Sequence, residues 1–166
     1  MQRERKDYDP GMHERYRALV VKQPYASRLV EPYRTDGEHV YAMKSIEVRS
    51  LRTAYRGEVL ICSSAKPEVE GLTSGATMGI VELYDVKPLE EFTPEDWEET
   101  GIPEEERGRY KGFGWMMRDP RRVVEIPTKG QLGLFTIVFD KGDIVEYPRK
   151  LIIDERSWKL IKAQIK

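Results

Sequence analysis

The chain is poor in the residues on which disulfides, metal sites and membrane spans depend. Its 166 residues include one cysteine, two histidines and no apolar run of about 18 residues. A single cysteine cannot form an internal disulfide, and the lack of a long apolar run excludes a membrane-spanning helix. Cys62 lies in the apolar run 59–62, and residues 1–17 hold no apolar stretch that could serve a signal peptide. We therefore expect a cytoplasmic protein with a buried, reduced thiol.

The two histidines leave little room for metal or triad chemistry. His13 falls in a polar N-terminal stretch, and His39 follows the turn-forming pair Asp36-Gly37. No Cys or His pair has the spacing of a zinc ligand set, and a Ser-His-Asp or Cys-His arrangement would have to recruit one of these two residues. We predict that both are solvated, and the sequence predicts no metal and no cofactor.

Charge is strongly segregated, although the net charge of the chain is only −1. Residues 90–106 contain nine acidic residues and no Lys or Arg, so the rest of the chain carries a net charge of +8. A remainder this basic attracts phosphate groups. The alternative is an ordinary domain with an acidic, solvated connecting segment, and composition does not decide between the two.

The chain length fits one domain preceded by an arm. Residues 1–17 alternate charges without apolar periodicity and are predicted to be a flexible N-terminal arm, while residues 18–166 form the domain. Short β-rich runs separated by turn signals fill most of it, and Glu58–Ser64 and Met78–Val86 are the strongest. The segment 31–39 contains proline and Asp-Gly and is predicted to be a loop.

Three helices are predicted among these strands. A short early helix follows Gln23-Pro24, an acidic helical insertion begins at Thr93-Pro94, and a C-terminal helix begins after Asp154. Short strands with a few helices predict an α+β protein built on a β-barrel. The alternation of apolar residues alone does not separate a barrel from a sandwich.

Four segments, in chain order, resemble motifs of the ASCH superfamily. Met43–Ser50 resembles its G-x-K-x-x-E-x-R signature, with Ala42 where glycine is usual. Gln23–Ala26 resembles the helix-opening [H/Q]-P-[W/Y]-A. The other two segments are Tyr55–Ser64, which is similar to "YRGxxLIxxS", and Lys129–Phe135, which is similar to "KGxxGL[W/F]".

This resemblance implies a PUA-like β-barrel with a basic cleft that binds RNA, a nucleoside or a nucleotide. It also implies an enzymatic alternative, either hydrolysis of N4-acylated cytidine-type nucleosides or ribonuclease action. The relative that deacetylates N4-acetylcytidine has a threonine nucleophile three residues after the lysine, where this chain has Glu47. Lys44 and Glu47 are therefore the predicted acid–base pair of that alternative. Segment 31–41 is longer than is usual in the family and is expected to reshape the cleft mouth.

The signature residues suit the recognition of an anion. Lys44 offers a point charge for a phosphate or carbonyl oxygen, and Arg49 offers a planar fork for a phosphate or for Glu47. Glu47 and Arg49 share a strand face by period two, whereas Lys44 has the opposite parity, so the chain must bend before Ile46 for all three to meet. We favour a ligand-binding role for Lys44 and a structural role for Arg49.

Further candidate residues surround this signature in the predicted cleft. Tyr25 and Trp115 are candidate stacking platforms for a base, or ordinary core aromatics. Ser63 and Ser64 are candidate hydrogen-bond donors, or plain strand-end residues, and Lys129 is a candidate ligand-binding cation. The basic stretch that follows the acidic segment predicts nucleic-acid contacts by Arg118, Arg121 and Arg122, with solvated surface charge as the alternative. The predicted partner is thus RNA or a nucleotide-like ligand, with no membrane and no obligate protein partner inferred.

Overall fold

The computed structural model describes residues 8–148 and the backbone of residues 153–154. Strands dominate it: β1 His13–Val21, β2 Pro32–Thr35, β3 Val40–Ala42, β4 Ile46–Arg49, β5 Gly57–Ser63, β6 Thr77–Pro88, β7 Phe113–Arg122, β8 Phe135–Asp140 and β9 Ile153–Asp154. Two short α-helices, α1 Tyr25–Val30 and α2 Pro94–Thr100, lie between them, with 3-10 turns at Leu89–Glu91 and Glu104–Arg109. No helix among the described residues is long and apolar enough to cross a membrane.

Six strands form a curled, half-barrel sheet in the order β4-β7-β6-β5-β1-β8. Neighbours pair antiparallel except β1 and β5, which run parallel from Ala18–Leu60 to Val21–Ser63. A second sheet has the order β3-β2-β9. The predicted α+β class with a β-barrel-like sheet is therefore confirmed at this level.

The middle of the large sheet is buried on both faces. On β5, Val59 and Ile61 pack into one apolar cluster with Leu29 of α1, while Leu60 and Cys62 pack into another on the opposite face. Each fully buried aliphatic side chain of this kind stabilises the fold by about 1.5–3 kcal/mol. Burial also raises the pKa of the Cys62 thiol to about 12, as expected for an inert core cysteine.

Local signals in the sequence explain both helices. Gln23, just before α1, accepts a hydrogen bond from the Ser27 N–H through its side-chain oxygen at 3.0 Å. Thr93 and Asp96 form a reciprocal capping box at the start of α2, which is the acidic helix predicted to begin at Thr93-Pro94. The predicted C-terminal helix lies outside the described residues.

Three boundaries differ from the sequence predictions. The first strand begins at His13, so residues 13–17 belong to the sheet and pair with β8 instead of forming part of the arm. The predicted loop at residues 31–39 is wrong, because β2 and β3 form a hairpin around Asp36-Gly37. The side-chain oxygen of Asp36 accepts the N–H groups of Glu38 and His39, which makes the Asp-Gly pair a hairpin turn.

The third difference is β7. The sequence predicts separate strands at 113–117 and 122–126, whereas one strand runs from Phe113 through Pro120 to Arg122, and Val123 beyond it forms an isolated bridge with Glu146. A bulge at Asp119–Pro120 lets the strand continue, since two residues there oppose one residue of β6. Asp119 takes a φ of 53°, in the left-handed region, and the bulge leaves Pro120 out of the regular ladder.

Candidate functional site

One cleft of about 850 Å³ lies beside the signature strand β4. It is lined by β1, α1, β4, the end of β5, the segment after α2 and the loop that precedes β8. The predicted residues that line it are Tyr25, Lys44, Glu47, Arg49, Ser63, Ser64 and Lys129. The four segments that carry the sequence motifs therefore meet around a single cavity.

Lys44, Glu47 and Arg49 form a continuous ion chain in the cleft wall. The Lys44 ammonium lies 3.3 Å from one Glu47 carboxylate oxygen, and the Arg49 Nε donates to the other at 3.0 Å. The Arg49 Nη2 also donates to the Val20 carbonyl of β1 at 2.7 Å, which ties β4 to the facing strand. This bond supports the structural role favoured for Arg49.

The chain bends before β4, as the parity argument required. Residues 43–45 are not part of a strand, and β4 begins only at Ile46. The bend turns the Lys44 side chain back over its own backbone, where its ammonium donates to the Ile46 carbonyl at 2.7 Å. Lys44 and Glu47 thus meet despite their opposite strand parity.

Lys44 is 2% exposed, and all three of its N–H groups have partners. These partners are the Ile46 and Thr100 carbonyls, at 2.7 and 2.6 Å, and Glu47. Burial lowers the pKa of Lys44, and the charge of Glu47 opposes that shift. The ammonium is therefore committed to the protein, so a ligand contact would require it to give up one of these partners.

The acidic segment, whose role the sequence left open, forms one wall of this site. The carbonyl of Thr100, the last residue of α2, holds Lys44, which places a cation at the negative end of the helix. Glu99 accepts the Ser45 N–H through its backbone and the Ser45 hydroxyl through its carboxylate, at 2.9 and 2.6 Å. Arg34 of the hairpin pairs with the same carboxylate at 2.5 Å.

The two serines at the end of β5 lie in the cleft but are also used by the backbone. The Ser63 hydroxyl donates to the Ala76 carbonyl and accepts the Ala76 N–H, at 3.3 and 3.2 Å. The Ser64 hydroxyl accepts the Lys66 N–H at 3.4 Å. Both hydroxyls therefore have a structural role, because they hold the loop that follows β5 against the start of β6.

A glycine-containing loop, residues 128–133, closes the opposite rim. A side chain at Gly130 would lie 2.1 Å from Val20, so only glycine lets this loop approach β1 so closely. Gly133 has a φ of +66°. The close approach brings exposed Lys129 to the cleft, and Leu132 at the loop tip is fully exposed.

The aromatic candidates separate into one at the cleft and one in the core. Half-buried Tyr25 lines the cleft with the Lys44 ammonium 5.2 Å from its ring centroid. Trp115 is 4% exposed, belongs to the apolar core and donates its indole N–H to the Leu51 carbonyl at 3.0 Å. Tyr110, an aromatic residue of the basic stretch, also lines the cleft. Burial first, and then neighbouring Tyr25, raise the pKa of Tyr110.

The basic residues predicted to contact nucleic acid lie on β7, outside the cleft lining. Each of the three arginines contacts a carboxylate: Arg118 pairs with Glu82, Arg121 with Glu58 and Glu146, and Arg122 with Glu31. Arg118 and Arg122 also lie over the rings of Tyr84 and Tyr147. Their contact with nucleic acid stays a prediction, and it would compete with these pairs.

The cleft also contains residues that were not predicted as part of it. Lys22, Ile102, Tyr110 and Gln131 all line it. Lys22 directly precedes the Gln-Pro motif and Gln131 lies within the closing motif, so adjacency to the motifs was a usable signal for these two. Ile102 lies in the acidic segment and Tyr110 in the basic stretch that follows it, and no motif indicated the position of either.

The hairpin predicted to reshape the cleft mouth does not line the cleft. No residue of segment 31–41 is among its lining residues. The hairpin instead packs against β7, and Arg34 links it to Glu99 beside the site.

The chain matches no protein-family model, and no curated protein of similar sequence is found.

Proposed function

We propose that this cleft binds RNA or a nucleotide-like ligand. The observation that carries the proposal is the charge of the lining: Lys22, Lys44, Arg49 and Lys129 contribute cations, and Glu47 is the one carboxylate among the lining residues. A positive, partly enclosed cavity attracts phosphate, and about 850 Å³ lies within the range of ligand sites. The ASCH-like motifs support the same proposal, because their residues line this cleft.

The lining divides naturally between phosphate and base. Arg49 uses two of its five N–H donors within the described residues, which leaves a fork for a phosphate. Exposed Lys22 and Lys129 add charge at the rim. Tyr25 and Tyr110 offer ring faces on which a base can stack whatever its identity.

The charge of the rim is tested with the double variant Lys22→Glu/Lys129→Glu. We expect at least about tenfold weaker binding of a labelled single-stranded RNA, and a salt dependence reduced by about one power of salt concentration for each lost phosphate contact. Fluorescence anisotropy over a series of salt concentrations measures both quantities. Lys141→Glu, an exposed lysine that does not line the cleft, is the matched control. Equal effects of the two variants would contradict the proposal.

The base-stacking role is tested with Tyr25→Leu, which keeps an apolar side chain against the core. Loss of one stacked base should weaken binding by about 1–3 kcal/mol. Tyr147→Leu removes a tyrosine that lies over Arg122 outside the cleft and should leave affinity unchanged. If Tyr25→Leu binds as tightly as the unmodified chain, the ligand does not stack on this ring.

A hydrolase acting on N4-acylated cytidine-type nucleosides, or a ribonuclease, is the second candidate. The observation that favours it is the 3.3 Å contact between the Lys44 ammonium and the Glu47 carboxylate at the cleft wall. In amide hydrolysis Glu47 would take a proton from water as the water attacks the carbonyl carbon, and a proton would then pass to the departing amine nitrogen. We expect little turnover, because the donors of Lys44 are all engaged.

Mass spectrometry after incubation with N4-acetylcytidine separates the two functions. Release of cytidine and acetate that is abolished by Glu47→Gln and Lys44→Ala would make the enzymatic function correct. Unchanged nucleoside that binds, and that no longer binds after Lys22→Glu/Lys129→Glu, supports recognition alone.

A further inference from the structure

Three potential metal ligands converge where the β2–β3 hairpin meets the large sheet. His39 comes from the hairpin, Glu82 from β6 and Asp119 from the bulge in β7, and ligand atoms of all three lie within 4.8 Å of one another. All three residues are half-buried, and none lines the cleft described above. We propose that these residues bind a divalent transition-metal ion that fastens the hairpin to the sheet.

One pair of ligand atoms already has the spacing of two metal ligands. The His39 Nδ1 lies 2.9 Å from the Asp119 Oδ2. A metal ion bound to both at about 2.0–2.2 Å holds such atoms roughly 3 Å apart when the bond angle is near 90°. The two atoms are thus already as close together as two ligands of one ion, and the imidazole ring has to turn so that its nitrogen lone pair points at the ion instead of at the carboxylate.

Both carboxylates keep an oxygen available for the ion. Glu82 accepts the Arg118 Nε through Oε1 at 2.7 Å, and Asp119 accepts the Val40 N–H through Oδ1 at 3.0 Å. Hydrogen bonds of this kind commonly orient ligating carboxylates. Two ligands of one ion lie roughly 3–4.2 Å apart at these bond lengths, and the three ligand atoms here lie within 4.8 Å of one another, so small side-chain adjustments bring them to one ion.

The backbone of β7 places Asp119 in this position. The bulge inserts an extra residue opposite β6, and Asp119 adopts a φ of 53°. Bulges often re-aim a side chain in this way. Here the carboxylate points at the hairpin and contacts two of its residues, His39 and Val40.

The donor set selects the class of ion. One imidazole nitrogen and two carboxylate oxygens suit Zn²⁺ or Mn²⁺, with Zn²⁺ bound more tightly than Mn²⁺ and Ca²⁺ disfavoured because it prefers oxygen ligands alone. The two carboxylates also supply more negative charge than Arg118 removes. Because the ligands come from three elements, the ion should stabilise the folded chain by binding it in preference to the unfolded chain.

Calorimetric titration of the full chain, freed of metal with a chelator, tests the site with Zn²⁺, Mn²⁺ and Ca²⁺ in separate experiments. We expect one Zn²⁺ ion per chain and a higher melting temperature with Zn²⁺ than without. Asp119→Asn should weaken Zn²⁺ binding at least about tenfold. Asparagine tolerates the left-handed backbone and keeps an oxygen for the Val40 N–H, so the variant should fold.

The control is Asp85→Asn, which neutralises an exposed carboxylate on the same strand as Glu82. It should bind Zn²⁺ like the unmodified chain, whereas His39→Gln should lose binding as Asp119→Asn does. Absence of Zn²⁺ binding, or equal binding by Asp119→Asn and Asp85→Asn, would overturn the proposal and leave the His39–Asp119 contact as a simple hydrogen-bonded latch.

Discussion

Two parts of the molecule are rich in positive charge, and they differ in what surrounds it. In the cleft, four cationic side chains lie with one carboxylate, and that carboxylate is already held by Lys44 and Arg49. Along β7, Arg118, Arg121 and Arg122 each contact an acidic partner. The cleft therefore retains charge for a ligand, whereas the charge along β7 is largely neutralised within the protein.

The comparison shows that a basic stretch of sequence is not the same as a basic surface. The β7 stretch looked like a nucleic-acid footprint because its arginines are adjacent in the chain, while their partners on β5, β6 and the 140s segment are distant in sequence. The cations of the cleft are scattered over more than 100 positions and become neighbours only in the fold.

The largest expected difference between the two regions is in stability. Lys44→Met should lower the free energy of unfolding by about 3–5 kcal/mol, because it leaves Glu47 and two carbonyls buried without their cation. Arg121→Met should cost about 0–1 kcal/mol, since its partners are exposed and water can replace it. Urea unfolding followed by circular dichroism measures both.

A companion variant checks the cause of the Lys44 effect. If the stability lost in Lys44→Met comes from leaving the Glu47 carboxylate without its cation, the double variant Lys44→Met/Glu47→Gln should be more stable than Lys44→Met alone. The recovery should be partial, because Glu47→Gln also weakens the hydrogen bond to Arg49. Equal losses of unfolding free energy in Lys44→Met and Arg121→Met would contradict the distinction drawn between the buried Lys44 and the more exposed Arg121.

Much of the fold could be predicted because its signals are local. The capping pair Thr93 and Asp96 lies within one helical turn, and the apolar runs of β5 and β6 identify themselves by composition. The hairpin was missed because Asp36-Gly37 indicates a turn without indicating what pairs across it. The continuity of β7 was missed because Pro120 is a strand breaker unless a bulge accommodates it.

The candidate site was predictable only in part. The motif residues could be gathered from the sequence, but the state of Lys44 could not, because its partner Thr100 lies 56 positions away in the acidic insertion. The same holds for the two histidines, which were both expected to be solvated. His13 is buried beside Asp140, and His39 contacts Asp119, 80 positions away. Side-chain partners at such separations depend on how the sheet curls, and no local spacing encodes that.

A smaller effect that sharpens the comparison is the pH dependence of the stability difference. Burial lowers the pKa of Lys44 below its ordinary value of 10.5, so between the two values the unfolded chain holds a proton that the folded chain has released. Stability therefore rises with pH across that window for the unmodified chain, and Lys44→Met should lack this rise. The difference in unfolding free energy between the unmodified chain and Lys44→Met should therefore widen as pH increases toward about 10. The corresponding difference for Arg121→Met should stay constant, because arginine remains charged over this pH range. If the difference in unfolding free energy for Lys44→Met stays constant or narrows as pH rises, burial of this lysine is not linked to its protonation.

The smallest expected effect concerns salt. The Arg121 pairs with Glu58 and Glu146 are partly exposed, so whatever they contribute should fall as the Debye length shrinks from about 10 Å at 0.1 M salt to about 3 Å at 1 M. The cost of Arg121→Gln, at most about 1 kcal/mol in low salt, should then approach zero in 1 M NaCl. The cost of Lys44→Met should change little over the same range, because its partners are buried away from mobile ions. Urea unfolding of the three chains at both salt concentrations measures this. If the stability lost in Arg121→Gln stays the same in 1 M NaCl, Arg121 stabilises the fold by packing against the sheet and not through its ion pairs. The ion pairs would then neutralise less of the charge along β7 than their distances suggest.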